Sequence, residues 1–475
     1  MWSDSVTRTL QIYERHHWLS ASTILVVGTV IAFEPRLAFP FIGATAVLMY
    51  LRPGTKTMIA IMFAMFPFMY VYTYLQSLQG TALTTDVVPV MYRAMKDVVV
   101  ILVLARVGAD QLLRADAWGR LSWTDVLVGL FLFETVATSV QSLTYGQSIL
   151  VAILGIRSAS LCLVAYFLAR VFFVSRPDYG RITRIMFFTG VVVALLGIFQ
   201  AVALLLGVAA TAYGVAGEQS SSFRVFSTMN DPNMYGMYLA SCLLLARKDL
   251  LRLRRPLRMV GLAVIALGLL LSLSFSVLIP LIALLILYIL MRSFRRPRLA
   301  FGGLVLLSVT LLFPGVADRL LEIGNLTDAS LSLKVIQMQK ALDVFLAHPV
   351  LGAGYGLVGQ SRTWAESEFE TDSIAGENYY LILAAQSGIV GLALLVAVLG
   401  VWWWERGRIQ RAIRDPALRA FIQGVTAIVF VFWMANLVTD HYEGFPNNFV
   451  LWFLMGAVIV AGRIGNWPGT SGSLA

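Results

Sequence analysis

Residues 348–356 read HPVLGAGYG, and they lie in the one long polar interruption of an otherwise apolar chain. The interruption runs from Asp318 to Leu383, and both of its flanks are long apolar runs. Prolines and glycines at this spacing are typical of a folded, tightly turning loop rather than of a linker. We therefore predict that function gathers in this loop, beyond a helical segment at residues 331–347.

The composition excludes a soluble globular protein. Of the 475 residues, 59% are hydrophobic and 13% are charged, whereas soluble domains carry about 25% charged residues. The net charge of +10 would suggest nucleic acid as the partner of a soluble domain, but here the basic residues form short clusters between apolar runs. Cys162 and Cys242 lie within apolar runs and indicate neither a disulfide framework nor a metal site. We predict an all-α polytopic membrane protein with no nucleic-acid partner.

The apolar runs set the number of spans, because a membrane-spanning helix needs about 20 mostly apolar residues. This rule predicts about 14 transmembrane helices, with a range of about 12 to 14. The segments 259–273 and 277–291 could form one long helix, but two spans keep every basic cluster on the same side of the membrane. The predicted spans are 18–33, 37–51, 58–75, 87–105, 123–143, 149–174, 185–210, 233–246, 259–273, 277–291, 299–313, 379–404, 421–438 and 449–460.

The basic clusters also predict the orientation. Lys and Arg mark cytoplasmic loops, so both termini are predicted to be cytoplasmic and the long loop periplasmic or extracellular. The predicted organisation is an N-terminal bundle (1–210), a core (211–400) that includes the loop 315–378, and C-terminal helices (401–475).

Several ionisable residues fall inside predicted spans, where each costs about 2.5 to 3.5 kcal/mol. Arg157 and Glu134 lie at similar depths in consecutive spans, which predicts that they form a buried pair. Arg93, Lys96 and Asp97 lie in the outer half of the span 87–105. Such charges either fix helix packing or line a path for a substrate.

Arg224 lies in a predicted outer loop, against the positive-inside bias. The dipeptide Asp231-Pro232 predicts an N-cap followed by a first-turn proline, so a helix should begin close to this arginine. A guanidinium beside a helix N-terminus is a site for an anion. The alternative is an arginine that only caps a loop carbonyl.

The order of these motifs resembles the O-antigen ligase and polymerase superfamily. The similarity covers residues 210–399. The segments that carry it are 224–238 (RVFSTMNDPNMYGMY), 272–276 (SLSFS), 348–356 (HPVLGAGYG), 377–381 (ENYYL) and 387–392 (SGIVGL).

The resemblance implies a GT-C-like, all-helical membrane enzyme that transfers a glycan from an undecaprenyl-diphosphate carrier to a sugar hydroxyl without a metal or another cofactor. The family's diphosphate-binding arginine falls on Arg224, and a later, usually basic, position falls on Lys334. The ligase branch has a histidine where this chain has Glu377, and the family often has an arginine where Phe275 stands. These departures favour the polymerase branch. The implied partners are the lipid-linked glycan, the growing polysaccharide, membrane lipids, a flippase and a chain-length regulator.

The incoming hydroxyl needs a base, and Glu377 is our first candidate because it precedes an apolar span. An ordinary acid at a helix N-terminus is the alternative. His441 is the second candidate base, and His348 is more typical of a loop-packing residue. The candidate substrate contacts are Arg224, Lys334, Arg157, Arg93, Lys96, Asn233, Asn378, Tyr379, His348 and His441.

Three functions compete on this sequence. The leading one is a polymerase of lipid-linked repeat units for O-antigen, capsule or exopolysaccharide, and the nearest alternative is a ligase that moves finished glycan to lipid A-core or another acceptor. A solute transporter is the alternative outside the enzyme class, because intramembrane charges also suit a transport path.

Overall fold

All described secondary structure is helical. The computed structural model describes residues 54–68, 97, 100, 101, 103, 104, 106, 107, 121–145, 149–206, 224–229, 231–291, 329–356, 358, 378–442 and 444–465. Within these ranges the chain forms α-helices, short 3-10 turns and no strand. The α-helices are α1 (Thr55–Met65), α2 (Trp123–Gln141), α3 (Ile149–Phe172), α4 (Arg176–Leu205), α5 (Pro232–Leu245), α6 (Lys248–Leu251), α7 (Arg255–Leu271), α8 (Phe275–Met291), α9 (Ala329–Ala347), α10 (Tyr379–Ala412), α11 (Pro416–Ala435) and α12 (Asn447–Gly465).

Six of these helices are long and apolar enough to cross a membrane: α2, α3, α4, α10, α11 and α12. The chain is therefore a polytopic membrane protein. The helix predicted at 331–347 is present as α9. The segments 259–273 and 277–291 form two separate helices, α7 and α8, as the topology required. The count of about 14 spans stays a prediction, because several of those spans lie outside the described residues.

The core is built around α12, whose residues from Phe449 to Ala461 are buried almost without interruption. Its closest neighbour is α3. At Gly456 a Cβ atom would lie 2.2 Å from the carbonyl oxygen of Tyr166, so only glycine allows this approach. The indole of Trp402 in α10 donates to the carbonyl of Met455, 3.1 Å away, which attaches a third helix to the same core.

A buried carboxylate joins three of the helices near one end of the bundle. Asp125 in α2 pairs with Arg170 of α3 and, at 3.4 Å, with Arg463 of α12. The hydroxyl of Tyr166 donates to its other oxygen at 2.8 Å. A buried charge is tolerated only when it is paired and hydrogen-bonded in this way. Asp125 therefore fixes the packing of these helices.

Helix α10 is broken in its first third. Gly388 leaves the helical conformation with φ 64° and ψ −161°, which frees backbone groups on both sides of it. Residues 348–356, which we call the glycine turn, supply their partners. The bonds are Ala353 N to Ala385 O (2.8 Å), Gly354 N to Gln386 O (2.8 Å), Ile389 N to Pro349 O (2.9 Å) and Val390 N to Val350 O (3.4 Å).

Glycine is required on both sides of this junction. Gly352 has φ +71°, and a Cβ atom there would lie 2.3 Å from the carbonyl group of Gln386. At Gly388 a Cβ atom would lie 2.2 Å from the carbonyl oxygen of Val350. The loop motif and the break in α10 are therefore two halves of one backbone junction.

This packing predicts that Gly352→Ala destabilises the protein by about 2 to 4 kcal/mol, because the added methyl group both overlaps backbone atoms and disfavours the positive φ. Thermal unfolding of the purified protein in detergent measures the effect. The control is Gly400→Ala in α10, where nothing lies within 4 Å of the new Cβ atom. Equal melting temperatures for Gly352→Ala and the parent would show that the junction is looser than described.

Candidate functional site

The loop that carries Arg224 is held against α4. The side-chain oxygen of Gln200 in α4 accepts from the backbone amides of Phe226 and Ser227, at 3.3 and 2.9 Å. Ser227, whose φ is +51°, donates its hydroxyl to the carbonyl of Val193 at 2.8 Å. These bonds compensate for an uncommon backbone conformation. They fix the loop directly after Arg224.

Arg224 is the first member of a polar network that crosses three elements. Its Nη2 atom donates to the side-chain oxygen of Asn233, at the start of α5, over 3.0 Å. The hydroxyl of Ser274 donates to the same oxygen at 2.9 Å. The hydroxyls of Ser274 and Ser276 lie 3.1 Å apart. The network thus joins the motifs at 224–238 and 272–276.

The guanidinium retains unused hydrogen-bonding capacity. Its Nε atom is buried and has no hydrogen-bond partner among the described residues. No carboxylate in the described part of the chain forms an ion pair with Arg224, and its acceptor there, Asn233, is neutral. A buried N–H donor without a partner is costly. The arrangement is that of a cation prepared for an anion.

The predicted N-cap next to this site is confirmed. The amides at the start of α5, however, are not free to bind an anion as the sequence suggested. Asp231 caps α5, and its carboxylate accepts from the amides of Asn233 and Met234 at 2.6 and 3.0 Å. These two amides are therefore occupied by the protein's own carboxylate and are not available to a bound anion. Of the guanidinium and these two amides, only the guanidinium remains open to an anion.

Asn378 and Tyr379 begin α10. The side-chain oxygen of Asn378 accepts from the amide of Leu381 at 3.1 Å, and its amide donates to the carbonyl of Leu437 at 2.9 Å. The backbone amide of Tyr379 donates to the carbonyl of Asn436 at 3.1 Å. Both predicted substrate contacts thus connect the start of α10 to the end of α11.

The segment from Thr439 to Tyr442 is a polar loop in the interior. His441 is fully buried, and Asp440 is 3% exposed. The side-chain oxygen of Asn436 accepts from the amides of His441 and Tyr442, at 2.8 and 3.2 Å. Burial raises the pKa of the Tyr442 phenol well above its usual value, so this side chain stays neutral.

This polar loop reaches the Arg224 network through α12. The side-chain amide of Asn447 donates to the carbonyl of Met234 at 2.8 Å. Met234 follows Asn233 directly, so the contact lies one residue from the partner of Arg224. The second candidate base, His441, is therefore on a loop whose end packs against the same helical turn.

His348 closes α9. Its amide donates to the carbonyls of Val344 and Phe345, and its own carbonyl accepts from Gly352 at 3.0 Å. These backbone contacts make it part of the glycine turn.

The predicted pair of Arg157 and Glu134 is wrong. Arg157 pairs with Asp97, with 2.6 Å between Nε and Oδ2. Glu134 instead accepts from the hydroxyl of Thr138 at 2.7 Å and faces Ser387 beside the break in α10. Similar depth in two spans did not determine which faces of the helices meet.

Other predicted site residues lie outside the described part of the chain. Glu377, Arg93 and Lys96 are among them, as is most of the acidic part of the long loop. Lys334 lies in α9, but its side chain is also outside the described set. Among the described residues no cluster of His, Cys, Asp and Glu could hold a metal ion.

Comparison with known proteins gives a family match for the segment that contains Ser274, the glycine turn and the break in α10. Residues 260–396 match the family model described as O-antigen ligase. The match places this segment in the O-antigen ligase and polymerase superfamily. Members of this family are glycosyl-transferring enzymes. No curated protein gives a significant match to the chain.

The O-antigen ligase segment contains Ser274, the glycine turn and Gly388. It begins after Arg224, which reaches it through Asn233. Ser274 and Gln200 had no predicted role. The sequence could have indicated Ser274, since serines alternate with apolar residues at 272–276 between two apolar helices. No comparable pattern surrounds Gln200.

The ion pair gives a test of the corrected packing. We expect Asp97→Asn and Arg157→Gln to be non-additive, with a coupling energy of about 1 to 3 kcal/mol in thermal unfolding, because each change removes the partner of the other. Glu134→Gln serves as the matched control and should combine additively with Arg157→Gln. Coupling of Arg157 to Glu134 rather than to Asp97 would restore the original prediction.

Proposed function

We propose that the protein is an integral-membrane glycosyltransferase that polymerises undecaprenyl-diphosphate-linked repeat units on the outer face of a bacterial inner membrane. Arg224 and Lys334 bind the carrier diphosphate, and Glu377 accepts the proton of the incoming hydroxyl. The family of residues 260–396 supports glycosyl transfer in general. The donor, the polymerase reaction and the roles of these residues are our proposal.

The observation that carries the proposal is the state of Arg224. Its guanidinium is held by a neutral oxygen at 3.0 Å, and its buried Nε atom lacks a hydrogen-bond partner among the described residues. A guanidinium keeps its charge and binds phosphate oxygens through two parallel donors. A diphosphate therefore supplies both the negative charge and the acceptors that this side chain lacks.

The reaction needs only a cationic site and a base. The acceptor hydroxyl attacks the anomeric carbon of the donor, and a new glycosidic C–O bond forms. The bond between that carbon and the phosphate oxygen breaks, and its electron pair leaves on the diphosphate, where Arg224 offsets the added charge. The hydroxyl proton passes to the base, for which Glu377 is our candidate.

The polymerase branch is favoured over the ligase branch by two residues. Glu377 stands where the ligase branch has histidine, and Phe275 stands where an arginine is usual. A ligase would transfer finished glycan to a different acceptor, whereas a polymerase adds repeat units to a growing chain. A ladder of products that differ by one repeat unit distinguishes the two reactions.

We expect Arg224→Lys to reduce chain elongation about tenfold or more, because an ammonium cannot reproduce the paired donors of a guanidinium. The assay uses purified protein with lipid-linked repeat units and measures the ladder on a gel. Arg254→Lys, the same change at an exposed arginine, should leave the ladder unchanged.

Arg224→Ala should remove elongation in cells at normal protein level. Polymer of normal length in those cells would sink the proposed role of Arg224.

A second prediction concerns the base. Glu377→Gln keeps the shape of the side chain but removes its capacity to accept a proton, so we expect it to abolish elongation and to leave binding of the lipid-linked donor intact. The measurement pairs the gel ladder with donor binding by the same purified variant. A normal ladder would exclude Glu377 as the base and would make His441→Gln the next variant to test.

A further inference from the structure

The side-chain oxygen of Asn233 accepts hydrogen bonds from two residues, Arg224 and Ser274. It accepts from Nη2 of Arg224 at 3.0 Å and from the hydroxyl of Ser274 at 2.9 Å. The two donors approach from different elements, the loop before α5 and the turn between α7 and α8. One amide oxygen therefore sets the position of the guanidinium relative to both.

The contact between Asn233 and Ser274 depends on a close approach of the α5 backbone to the turn at 272–276. One turn along α5, a Cβ atom at Gly236 would lie 2.9 Å from the hydroxyl oxygen of Ser272 and 3.1 Å from the Cβ atom of Ser274. Only glycine lets α5 approach the serine turn so closely. Leu273 has φ +48°, an outlier for a large apolar residue. Such strain persists where the surrounding structure imposes it, and it is concentrated at functional sites.

Stability alone would favour a carboxylate at position 233. This residue is the second of α5, where the helix dipole favours negative charge. An aspartate would also form an ion pair with Arg224. It would be nearly the same shape as asparagine and would accept the same two hydrogen bonds. The chain nevertheless has a neutral amide here.

We propose that Asn233 and Ser274 are positioning residues that hold the Arg224 guanidinium in place while leaving its positive charge uncompensated for the diphosphate. The inference rests on the proposed function. It reassigns Asn233, which the sequence predicted as a substrate contact, to a role that acts through Arg224. Ser274 fixes the direction of the shared oxygen, and Ser276 extends the network by one hydroxyl.

The test compares two substitutions whose effects on stability and on binding go in opposite directions. Asn233→Asp retains shape and hydrogen bonds but neutralises the guanidinium. Asn233→Ala removes the acceptor and leaves the charge. We expect Asn233→Asp to melt at or above the parent and to bind the carrier about tenfold or more weakly, while Asn233→Ala melts lower but binds better than Asn233→Asp. A purely structural role predicts the reverse order for binding.

The probe is undecaprenyl diphosphate alone, titrated into the full-length protein in nanodiscs and followed by native mass spectrometry. Ser274→Ala should weaken binding several-fold, because the shared oxygen loses one of its two donors. The control is Ser241→Ala, the same change in α5, where the hydroxyl donates only to the carbonyl of Met237. If Asn233→Ala does not fold, Asn233→Ser, a smaller neutral acceptor, replaces it.

The outcomes separate this inference from the function on which it rests. Carrier binding by Asn233→Asp that equals the parent, or exceeds that of the neutral variant, overturns the positioning role. Binding by Ser274→Ala that equals the parent removes Ser274 from it. If Arg224→Ala binds the carrier as well as the parent does, the proposed function itself fails.

Discussion

The backbone junction between the glycine turn and the break in α10 is the constraint on which one end of the described structure depends. A membrane interior offers no water to satisfy free amides and carbonyls, so a broken spanning helix must find protein partners. Here the turn supplies two donors, from Ala353 and Gly354, and two acceptors, from Pro349 and Val350. The end of α9 is thereby held against the middle of α10, although 31 residues separate Ala347 from the start of that helix at Tyr379.

The two ends of the bundle treat charge in opposite ways. At Asp125 the protein pairs a buried carboxylate with two arginines and a tyrosine hydroxyl, which is how a buried charge is retained for packing alone. At Arg224 the charge receives a neutral amide, and a buried N–H is left without a partner among the described residues. The difference in partners separates a structural cation from one that is available to a ligand. Burial by itself does not separate them.

The sequence predicted those features that local chemistry determines. Asp231 before Pro232 marked the start of α5, because capping involves neighbouring residues. The division between 259–273 and 277–291 followed from the positions of the basic clusters. The break at Gly388 was not predicted, since the apolar pattern continues through it and the cause is the glycine turn, a contact distant in sequence. The pairing of Arg157 with Asp97 was missed for the same reason. The position of a charged residue along its span can be read from the sequence. Which helix faces contact each other depends on tertiary packing.

Phe275 stands where the family usually has an arginine, so the proposed site needs a second cation from another position. A diphosphate leaving group develops more negative charge than one guanidinium offsets, and the arginine usual in the family at this position is absent from the chain. Ser274 and Ser276 can donate hydrogen bonds to phosphate oxygens only if they give up part of their mutual contact, and they add no charge. A second cation must therefore come from elsewhere. Lys334 is our candidate on the resemblance. Its ammonium is a single strongly hydrated point charge, which suits the more hydrated phosphate of the proposed diphosphate site and leaves the other phosphate to Arg224 in that proposal.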